Sequence, residues 1–372
     1  MKRLLLLGGG HAHVQVLADL ARQPLPGWEV HLVSPYRRQI YSGMLPGWIA
    51  GDYRIEDCAI AIDRLAASAA VRFHETAGAG VDPGAAIVRC VDGSTLGYDA
   101  LSIDTGPTPA LDDLPGAAEQ ALPVRPIETF IAAWPALVER IRAANRRFDL
   151  LVLGAGAAGV ELAFAIRHRA GVEGWSQLAV TLAGADERPM AGAPDAARRR
   201  AWRLLTERGI AWRGGCRATR IDADRVHVAG AESLPFDACI VATGAAAPRW
   251  PAAAGLATDE RGCIRVAATL QSVSNPNVFA AGDVAAYADP RPKSGVYAVR
   301  AGPVLAANLR AFCLGQAALQ RWTPQTEALY LINTGDRHAI AMRGRWSCSG
   351  HWVWRWKDRI DRRFMRRFGT PA

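Results

Sequence analysis

Short apolar runs alternate with segments of helical periodicity through most of the chain. Residues 3–7 form an apolar run that ends at three glycines, and a segment with apolar positions every three to four residues follows. The same order recurs at residues 148–153, which precede a second glycine cluster and a second helical segment. Each helix leads to a further buried run, at residues 28–33 and 178–183. The pattern predicts two units with the same order of β-strand, tight turn, α-helix and β-strand.

Both units also close with the same kind of strand. Residues 98–106 read Tyr-Asp-Ala-Leu-Ser-Ile-Asp-Thr-Gly, and residues 236–244 read Phe-Asp-Ala-Cys-Ile-Val-Ala-Thr-Gly. From the first glycine of a unit to its closing glycine, the chain runs 98 residues in the first unit and 90 in the second. Matched glycine clusters and matched Thr-Gly endings in the same order indicate an internal duplication.

Segments rich in Pro, Gly and Ala connect these units. Residues 106–126 and 245–254 are predicted to be crossovers, and the second leads to a short strand within residues 275–283 that ends in Gly-Asp. Amphipathic helices are predicted at residues 127–144, 194–208 and 294–312. The last sixty residues are predicted to form a separate unit.

The second glycine cluster has the spacing of a dinucleotide-binding turn. Gly154 permits the tight turn, Gly156 lets the backbone approach a pyrophosphate, and Gly159 lets the helix pack closely on the strand. The phosphates would face the helix N-terminus, where the helix dipole favours negative charge. With a strand before it and a helix after it, this cluster predicts dinucleotide binding.

The first cluster departs from the Gly-x-Gly-x-x-Gly pattern. Gly8 and Gly10 occupy the first two glycine positions, but His13 occupies the third. We expect His13 to pack in the core and His11 to border the cofactor. A metal site at these histidines is disfavoured, since they are two residues apart and no other Cys or His lies near them. No metal site is therefore predicted.

Neither unit carries an acidic residue at the end of its second strand, where a carboxylate would bind ribose hydroxyls. Ser34 holds that position in the first unit, and a serine can still hydrogen-bond a ribose. Gly184 holds it in the second, with Asp186 and Glu187 just beyond and Arg188 after them. The choice between NADH and NADPH stays open, with NADH slightly favoured because the acids come first.

Composition excludes several classes of protein. The chain has 372 residues, half of them apolar and 21% charged, which excludes disorder, collagen-like repeats and disulfide scaffolds and favours two or three domains. Its seven cysteines are scattered and include no Cys-x-x-Cys pair, which favours a reducing compartment. The N-terminal apolar run breaks too early for a signal peptide, and no stretch reaches the length of a spanning helix. We expect a cytoplasmic protein that can contact the inner face of the cell membrane.

The basic excess of the chain is concentrated near its C-terminus. Residues 345–368 hold eight basic and two acidic residues, six of the nine net positive charges. If residues 351–368 are helical, one face carries an apolar row flanked by arginines: Trp352, Trp356, Ile360, Phe364 and Phe368. The pattern is typical of a helix lying on an anionic membrane, and it suits equally a helix docked on the protein's own core or on a second subunit. Nucleic-acid binding is the weakest interpretation, because the positive charge lies in one tail.

Together with Ala280-Ala-Gly282-Asp283, the paired units resemble the pyridine nucleotide–disulfide oxidoreductase superfamily, the flavoproteins with two dinucleotide-binding domains. The resemblance implies an α/β fold of two Rossmann-like domains, with an NAD(P)H domain inserted in an FAD domain. It places FAD binding in residues 1–110 and 245–315 and NAD(P)H binding in residues 111–244. Residues 316–372 would form a small C-terminal unit.

Within that superfamily the chain lacks the cysteine pair that disulfide reductases need beside the flavin. It resembles instead the branch of type II NADH dehydrogenases and sulfide:quinone reductases. The strongest likeness is to the small flavoprotein found alone or fused ahead of selenide, water dikinase. That likeness is carried by residues 41–47 (Tyr-Ser-Gly-Met-Leu-Pro-Gly), 293–300 (Lys-Ser-Gly-Val-Tyr-Ala-Val-Arg) and 354–361 (Trp-Arg-Trp-Lys-Asp-Arg-Ile-Asp).

The resemblance also implies roles for single residues. It assigns FAD contacts to Gly8, Gly10, His11, Ala12, Ser34, Thr105, Gly106, Gly282 and Asp283, and nucleotide contacts to Gly154, Gly156, Gly159, Thr243 and Gly244. Glu161 matches a glutamate that borders nicotinamide and flavin, where a carboxylate can orient the nicotinamide or relay a proton; the alternative is a solvated helix acid. Lys293 would face the flavin pyrimidine edge and stabilise the negative charge of the reduced ring, unless it is a solvated loop lysine. Both are predicted catalytic residues.

The electron acceptor is the least determined feature. The two glutamines that line the quinone pocket of type II dehydrogenases are replaced here by Val296 and Arg300, and Cys313 and Cys348 each lack an evident partner cysteine. Sulfide oxidation is therefore disfavoured. We expect an FAD-dependent NAD(P)H oxidoreductase that passes electrons to a quinone or similar acceptor. The alternative is a flavin-bearing redox partner or binding module, possibly of a selenium pathway, with little turnover of its own.

Overall fold

The computed structural model describes residues 1–109 and 111–368. Residue 110, a predicted domain boundary, and the last four residues of the predicted C-terminal unit lie outside the described residues. Three 3-10 helices lie at Ser42–Met44, Glu56–Cys58 and Gly282–Val284. The α-helices of the described chain are α1 (His11–Arg22), α2 (Leu45–Ala50), α3 (Ile62–Ser68), α4 (Ala117–Gln120), α5 (Ile127–Ala143), α6 (Ala157–Glu173), α7 (Asp195–Glu207), α8 (Trp250–Ala253), α9 (Gly295–Cys313) and α10 (His351–Phe368).

Two five-stranded parallel sheets form the two predicted units. The first has the order Val278–Ala280, Ala100–Ile103, Lys2–Leu7, Trp28–Val33, Arg72–His74. The second has the order Leu122–Pro123, Ala238–Val241, Phe148–Leu153, Leu178–Ala183, Ala211–Arg213. Strands covered on both faces bury most of their side chains, which explains why the central strands read as nearly continuous apolar runs. The α/β fold with two Rossmann-like domains is confirmed.

The duplication extends to strand register. In the first sheet Leu7 pairs with Val33 on one side and Ile103 on the other. In the second sheet Leu153 pairs with Ala183 and Val241 in the same way. The strand Val278–Ala280 follows the whole second sheet along the chain and yet pairs in the first sheet. The second unit is therefore inserted in the first.

Smaller sheets complete each unit. The first unit has the antiparallel sheet Gly78–Asp82, Ile87–Cys90, Thr95–Gly97, and the second has Ala218–Ile221, Arg225–Val228, Leu234–Pro235. The two predicted crossovers run antiparallel where Thr108–Pro109 pairs with Ala245–Ala246. Two further pairs are Arg38–Ile40 with Ala59–Ala61, antiparallel, and Ile264–Arg265 with Ala285–Ala286, parallel. The chain thus crosses between the units along a short two-stranded connection.

The C-terminal unit is an antiparallel sheet joined to α10. Its strands are Tyr330–Asn333, Ala339–Arg343 and Trp346–Gly350. Ile332, Ile340 and Met342 pack in the same apolar core as α6 and α2, so this unit lies against the rest of the protein. Along the described chain, no helix combines the length and apolar character that crossing a bilayer requires.

The structure corrects the predicted apolar face of α10. Trp352, Trp356 and Ile360 are 50%, 37% and 39% exposed, whereas Phe364 is half-buried and Phe368 buried. Residues four apart advance about 40° around an α-helix at each step, so a row of five crosses from one side of the helix to the other. The side that faces the protein carries Val353, Lys357, Asp361 and Phe368 instead. The helix docks on its own chain and leaves an exposed aromatic patch, which we define as Trp352, Trp356 and Ile360.

Candidate functional site

The second glycine cluster forms a turn that only glycine fits. Gly154 has φ +110°, and a Cβ there would lie 2.6 Å from the backbone of Ala242. A Cβ on Gly159 would lie 1.8 Å from the Gly154 carbonyl oxygen, so α6 could not approach the strand. A Cβ on Gly156 would meet nothing within 4 Å. The turn is closely packed against the sheet at Gly154 and Gly159, and it leaves open space beside Gly156, which we call its mouth.

The N-terminus of α6 faces this open mouth. Gly156 precedes the helix without a side-chain cap, and within the described chain neither Ala157 nor Ala158 donates its amide N–H to any acceptor. Unsatisfied amides at a helix N-terminus attract anions. The second cluster therefore suits the diphosphate of a dinucleotide.

The first cluster is built differently, since His13 replaces the third glycine. The buried imidazole has Nδ1 2.6 Å from the Gly8 carbonyl oxygen and Nε2 2.8 Å from the Ser102 hydroxyl. Nδ1–H thus donates to Gly8, and Nε2 accepts from Ser102. Burial lowers the pKa of His13 to about 4, although the Gly8 contact opposes the shift, so the ring is neutral. His13 is in the core, as predicted.

Asp104 is a residue of this cluster that the sequence analysis missed. Its Oδ2 accepts the backbone N–H of Ala12 at 2.8 Å and of His13 at 3.0 Å, which caps the start of α1. A Cβ on Gly10 would lie 2.3 Å from its carboxyl carbon, and one on Gly282 would lie 2.6 Å from Oδ1. Burial raises the pKa of Asp104 to about 7, against the two amide hydrogen bonds and with help from the charge of Asp283. Its only sequence signal is that Ala242 stands at the matching position of the second unit.

Asp283 and Lys293 meet in one cavity. The cavity has a volume of about 310 Å³, and its lining also includes Gly244, Arg261 and Cys263. Arg125 lies 3.8 Å from the Asp283 carboxylate. Burial raises the pKa of Asp283, opposed by the charges of Arg125 and Lys293. Two predicted residues of the first unit thus face a closing glycine of the second.

Lys293 is held by the backbone and is not a solvated loop residue. Its Nζ donates to the Ala285 carbonyl oxygen at 2.5 Å, and the side chain is half-buried. Thr105 and Thr243, which end the two matched strands, are both exposed. The neighbouring Gly106 has φ +72°, so it turns the chain away from the sheet edge.

Ser34 and His11 border the first cluster from two sides. The buried Ser34 hydroxyl donates to the Tyr36 carbonyl at 3.1 Å, so its own turn occupies it, and it lies beside Gly9. The His11 ring lies 5.6 Å from the Tyr41 ring. Its Nε2 is buried and has no hydrogen-bond partner among the described residues. Burial and the charge of Arg125 lower the pKa of His11 to about 4, so a neutral ring offers this nitrogen to a ligand.

Glu161 is half-buried and lies near the buried pair Lys357 and Asp361, and we define these three residues as the buried ionisable cluster. Lys357 Nζ donates to Asp361 Oδ2 at 2.6 Å and to the Gly43 carbonyl at 2.5 Å. Glu161 Oε1 accepts the Asn333 amide at 2.7 Å. Glu161 is therefore not a solvated helix acid. The sequence analysis counted Lys357 and Asp361 as charges of the basic tail and as part of the segment 354–361 that carries the family likeness, and it gave neither residue a role of its own.

The pKa values of Glu161, Lys357 and Asp361 are all raised from their ordinary values. Burial raises the pKa of Glu161 to about 7, opposed by the Lys357 charge and the Asn333 amide. Burial alone would lower the pKa of Lys357, but the charges of Asp361 and Glu161 outweigh it and raise that pKa. Lys357 therefore stays protonated, while Glu161 can gain or lose a proton near neutral pH.

Two matched Rossmann-like units, each with a glycine turn between its first strand and its first helix, define the class of dinucleotide-binding α/β proteins. The chain belongs to the pyridine nucleotide-disulphide oxidoreductase family, whose pattern matches residues 2–302. These flavoproteins use FAD, and this protein is an NAD(P)H-dependent flavoprotein oxidoreductase.

Individual relatives are distant. The chain is 25% identical over 291 residues to demethylphylloquinone reductase NdbB of Synechocystis sp., covering 76% of this chain and 71% of that protein. Its fold is similar to that of sulfide:quinone oxidoreductase from Aquifex aeolicus, with TM-score 0.80, 18% identity and coverage of 99% and 91%. It is also similar to NDH2 from Plasmodium falciparum in complex with NADH, with TM-score 0.81, 13% identity and coverage of 99% and 97%.

Proposed function

We propose that the protein reduces a membrane quinone with electrons from NADH. The observation that carries this proposal is the buried ionisable cluster, which links the helix after the second glycine turn to the amphipathic helix α10. Reducing a quinone to a quinol takes two protons as well as two electrons, and a group with a pKa near 7 can supply a proton at neutral pH. A carrier that accepts only electrons takes up no proton, and the reduced flavin would release one instead.

The first glycine cluster fits FAD. Gly8, Gly10 and Ala12 would face its diphosphate, with Gly106, Gly282 and Asp283 beside it. The orphaned Nε2 of His11 and the cavity at Asp283 and Lys293 leave polar groups there for a ligand. Bound FAD supplies the group that accepts a hydride and releases electrons. Lys293 would place positive charge where negative charge develops.

The second cluster would hold the nicotinamide nucleotide through Gly154, Gly156 and Gly159, with Thr243 and Gly244 at its mouth. NADH is favoured because the exposed carboxylates of Asp186 and Glu187 follow the second strand, where a ribose would lie. A 2′-phosphate would meet their negative charge. Arg188 lies beyond them and is exposed.

Lys357 would stabilise the ionised form of Glu161 after a proton leaves it. The Lys357–Asp361 pair is fixed by the Gly43 carbonyl, so its position does not depend on solvent. Val353 and Phe368 anchor α10 on either side of the pair. The cluster therefore lies between the protein interior and the exposed aromatic patch.

The aromatic patch supports contact with the membrane in which quinones dissolve. Trp352 and Trp356 stack with their ring centroids 6.4 Å apart, and Ile360 continues the row. Arg355 and Arg359 are exposed beside them. Exposed tryptophans with adjacent arginines suit the headgroup region of an anionic bilayer.

An anaerobic titration with NADH and then NADPH, following the flavin absorption band, tests the donor. Bleaching by NADH at a lower concentration than by NADPH supports the proposal, and an unbleached flavin refutes it. Steady-state turnover with a soluble quinone then tests the acceptor. The variant Glu161→Gln should keep the bleaching by NADH and lose most quinone turnover. A single slow reduction without turnover would favour the alternative, a flavin-bearing partner whose exposed arginines bind an acidic protein.

A further inference from the structure

The two glycine clusters present different charges at their helix N-termini. In the second unit Ala242 ends the matched strand, and no carboxylate in the described chain accepts the α6 amides. In the first unit Asp104 occupies the matching position, and its carboxylate takes the amides of Ala12 and His13. The first helix N-terminus is therefore already neutralised by a side chain before any ligand arrives.

The carboxylate cannot move aside easily. It is enclosed between Gly10 and Gly282, at distances where a Cβ on either residue would collide with it. His13, whose backbone N–H the carboxylate accepts, is itself held by the contacts of its ring with Gly8 and Ser102. A diphosphate that approaches the start of α1 would thus meet a buried negative charge that has little room to withdraw.

We propose that FAD binds the first cluster together with a proton, which Asp104 takes up so that its carboxyl group no longer repels the diphosphate. The inference rests on the proposed placement of FAD in the first unit. A protonated Asp104 still accepts an amide hydrogen bond through its carbonyl oxygen, and its O–H becomes a donor to a phosphate oxygen. The cost of burying two like charges is thereby removed.

The other charged groups around Asp104 do not account for such a proton. His13 and His11 have pKa values lowered to about 4 by burial, so both are neutral above pH 6. Burial raises the pKa of Tyr287, which stays protonated. Arg125 and Lys293 lie near Asp283, oppose the raised pKa of its carboxyl group and favour the approach of a diphosphate. Among the described residues, Asp283 is the carboxylate whose charge acts on Asp104.

The sign of the effect follows from linkage. An added anion raises the pKa of Asp104 above its value of about 7, so the bound state holds more protons than the free state. Affinity for FAD should then be constant below about pH 6 and weaken about tenfold for each pH unit above 7. Between pH 6.5 and 8.5 the Kd should rise about twentyfold.

The experiment titrates apoprotein with FAD from pH 6 to 8.5 at constant ionic strength, by quenching of flavin fluorescence. Wild type should show the rise in Kd, and Asp104→Asn should bind FAD with a Kd that does not change with pH. Calorimetry at pH 8 in buffers of different ionisation enthalpy should give nearly one proton taken up per FAD in wild type and none in the variant. A pH dependence that survives in Asp104→Asn, or that disappears in Asp283→Asn instead, overturns the proposal.

The second unit supplies a matched control. NADH binding at that unit should be independent of pH in Glu161→Gln, in which the titrating carboxyl group of α6 is absent, and adding Ala242→Asp should weaken it and make it pH-dependent. Gly10→Val separates the two possible failures. If it abolishes FAD binding while wild type shows no pH dependence, the proton uptake is wrong and the placement of FAD stands. If neither Gly10→Val nor Asp104→Asn alters FAD binding at any pH, the placement itself is wrong.

Discussion

Replacing Lys357 by methionine tests whether the buried ionisable cluster is organised by charge. Lys357 is 6% exposed and Asp361 4%, and their side chains are joined at 2.6 Å. Removing one partner of a buried ion pair leaves the other charge uncompensated and costs about 3–5 kcal/mol. Methionine matches the length of the lysine stem, so lost packing adds little. We expect Lys357→Met to lower the free energy of unfolding by that amount.

The double variant gives the sharper result. In Lys357→Met combined with Asp361→Leu both charges are absent, and replacing a buried pair with apolar groups is often neutral or stabilising. The free energy of unfolding of the double variant should therefore be at least about 2 kcal/mol higher than the value obtained by adding the losses of the two single variants. Arg203→Met is the control, because Arg203 pairs with Glu207 at the same four-residue spacing with both side chains exposed, and it should cost less than about 1 kcal/mol.

Urea denaturation followed by tryptophan fluorescence measures these energies, since three tryptophans lie on α10. Additive single effects would refute the reasoning, because they would show that the two charges do not interact. A Lys357→Met cost as small as that of Arg203→Met would refute it as well. Either result would also remove the support that Lys357 gives to the proposed role of Glu161.

Three further predictions follow from single contacts. The pKa of Glu161 is raised to about 7 in the folded state, so ionising this group destabilises the fold. The free energy of unfolding of wild type, relative to that of Glu161→Gln, should therefore fall by about 1–3 kcal/mol as the pH rises from about 4.5 to 7. Denaturation at several pH values measures this difference, and a difference that stays constant would contradict the prediction. His13→Gly removes two buried hydrogen bonds and a buried ring, so the free energy of unfolding, measured by thermal denaturation, should fall by about 2–4 kcal/mol. A decrease below about 1 kcal/mol would mean that the ring does not stabilise the packing of α1. The double variant Trp352→Ala, Trp356→Ala should float with anionic vesicles at least tenfold less than wild type. The control is Trp202→Ala, which removes an exposed tryptophan of α7 and should leave vesicle binding unchanged. Equal losses of vesicle binding in both variants would argue against the exposed aromatic patch as the membrane contact.

Local patterns in the sequence predicted the parts of the fold that depend on short-range constraints. A glycine turn between an apolar run and an amphipathic helix can be recognised from adjacent residues, and a parallel sheet buried on both faces requires apolar strands. The duplication predicted that the second unit repeats the succession of strand, turn, helix and strand found in the first. The bounds of α5, α7 and α9 agree with the predicted helices to within one residue at each end.

The electrostatics of the site could not be predicted in this way. Asp104 reaches the amide of Ala12 across 92 residues of chain, and nothing local distinguishes it from a turn aspartate. Lys357 and Asp361 look like two more charges of a basic helix until α10 docks against Gly43. The face of α10 was misassigned for a related reason, because a row of apolar residues does not show which part of it the rest of the protein covers.

The two units pack the start of their first helix against the sheet in different ways, and this difference affects what each helix N-terminus can bind. In the second unit a glycine lets backbone contact backbone, and the helix amides stay open for an anion. In the first unit His13, Ser102 and Asp104 fill the same space with a connected polar network, in which removing any member leaves a buried polar atom unpaired. The capped helix can therefore stay folded without a ligand, whereas the open one leaves its amides to be satisfied by water or by a nucleotide that comes and goes. The same fold thus provides a self-capped site whose occupancy depends on a proton and an open site whose occupancy does not.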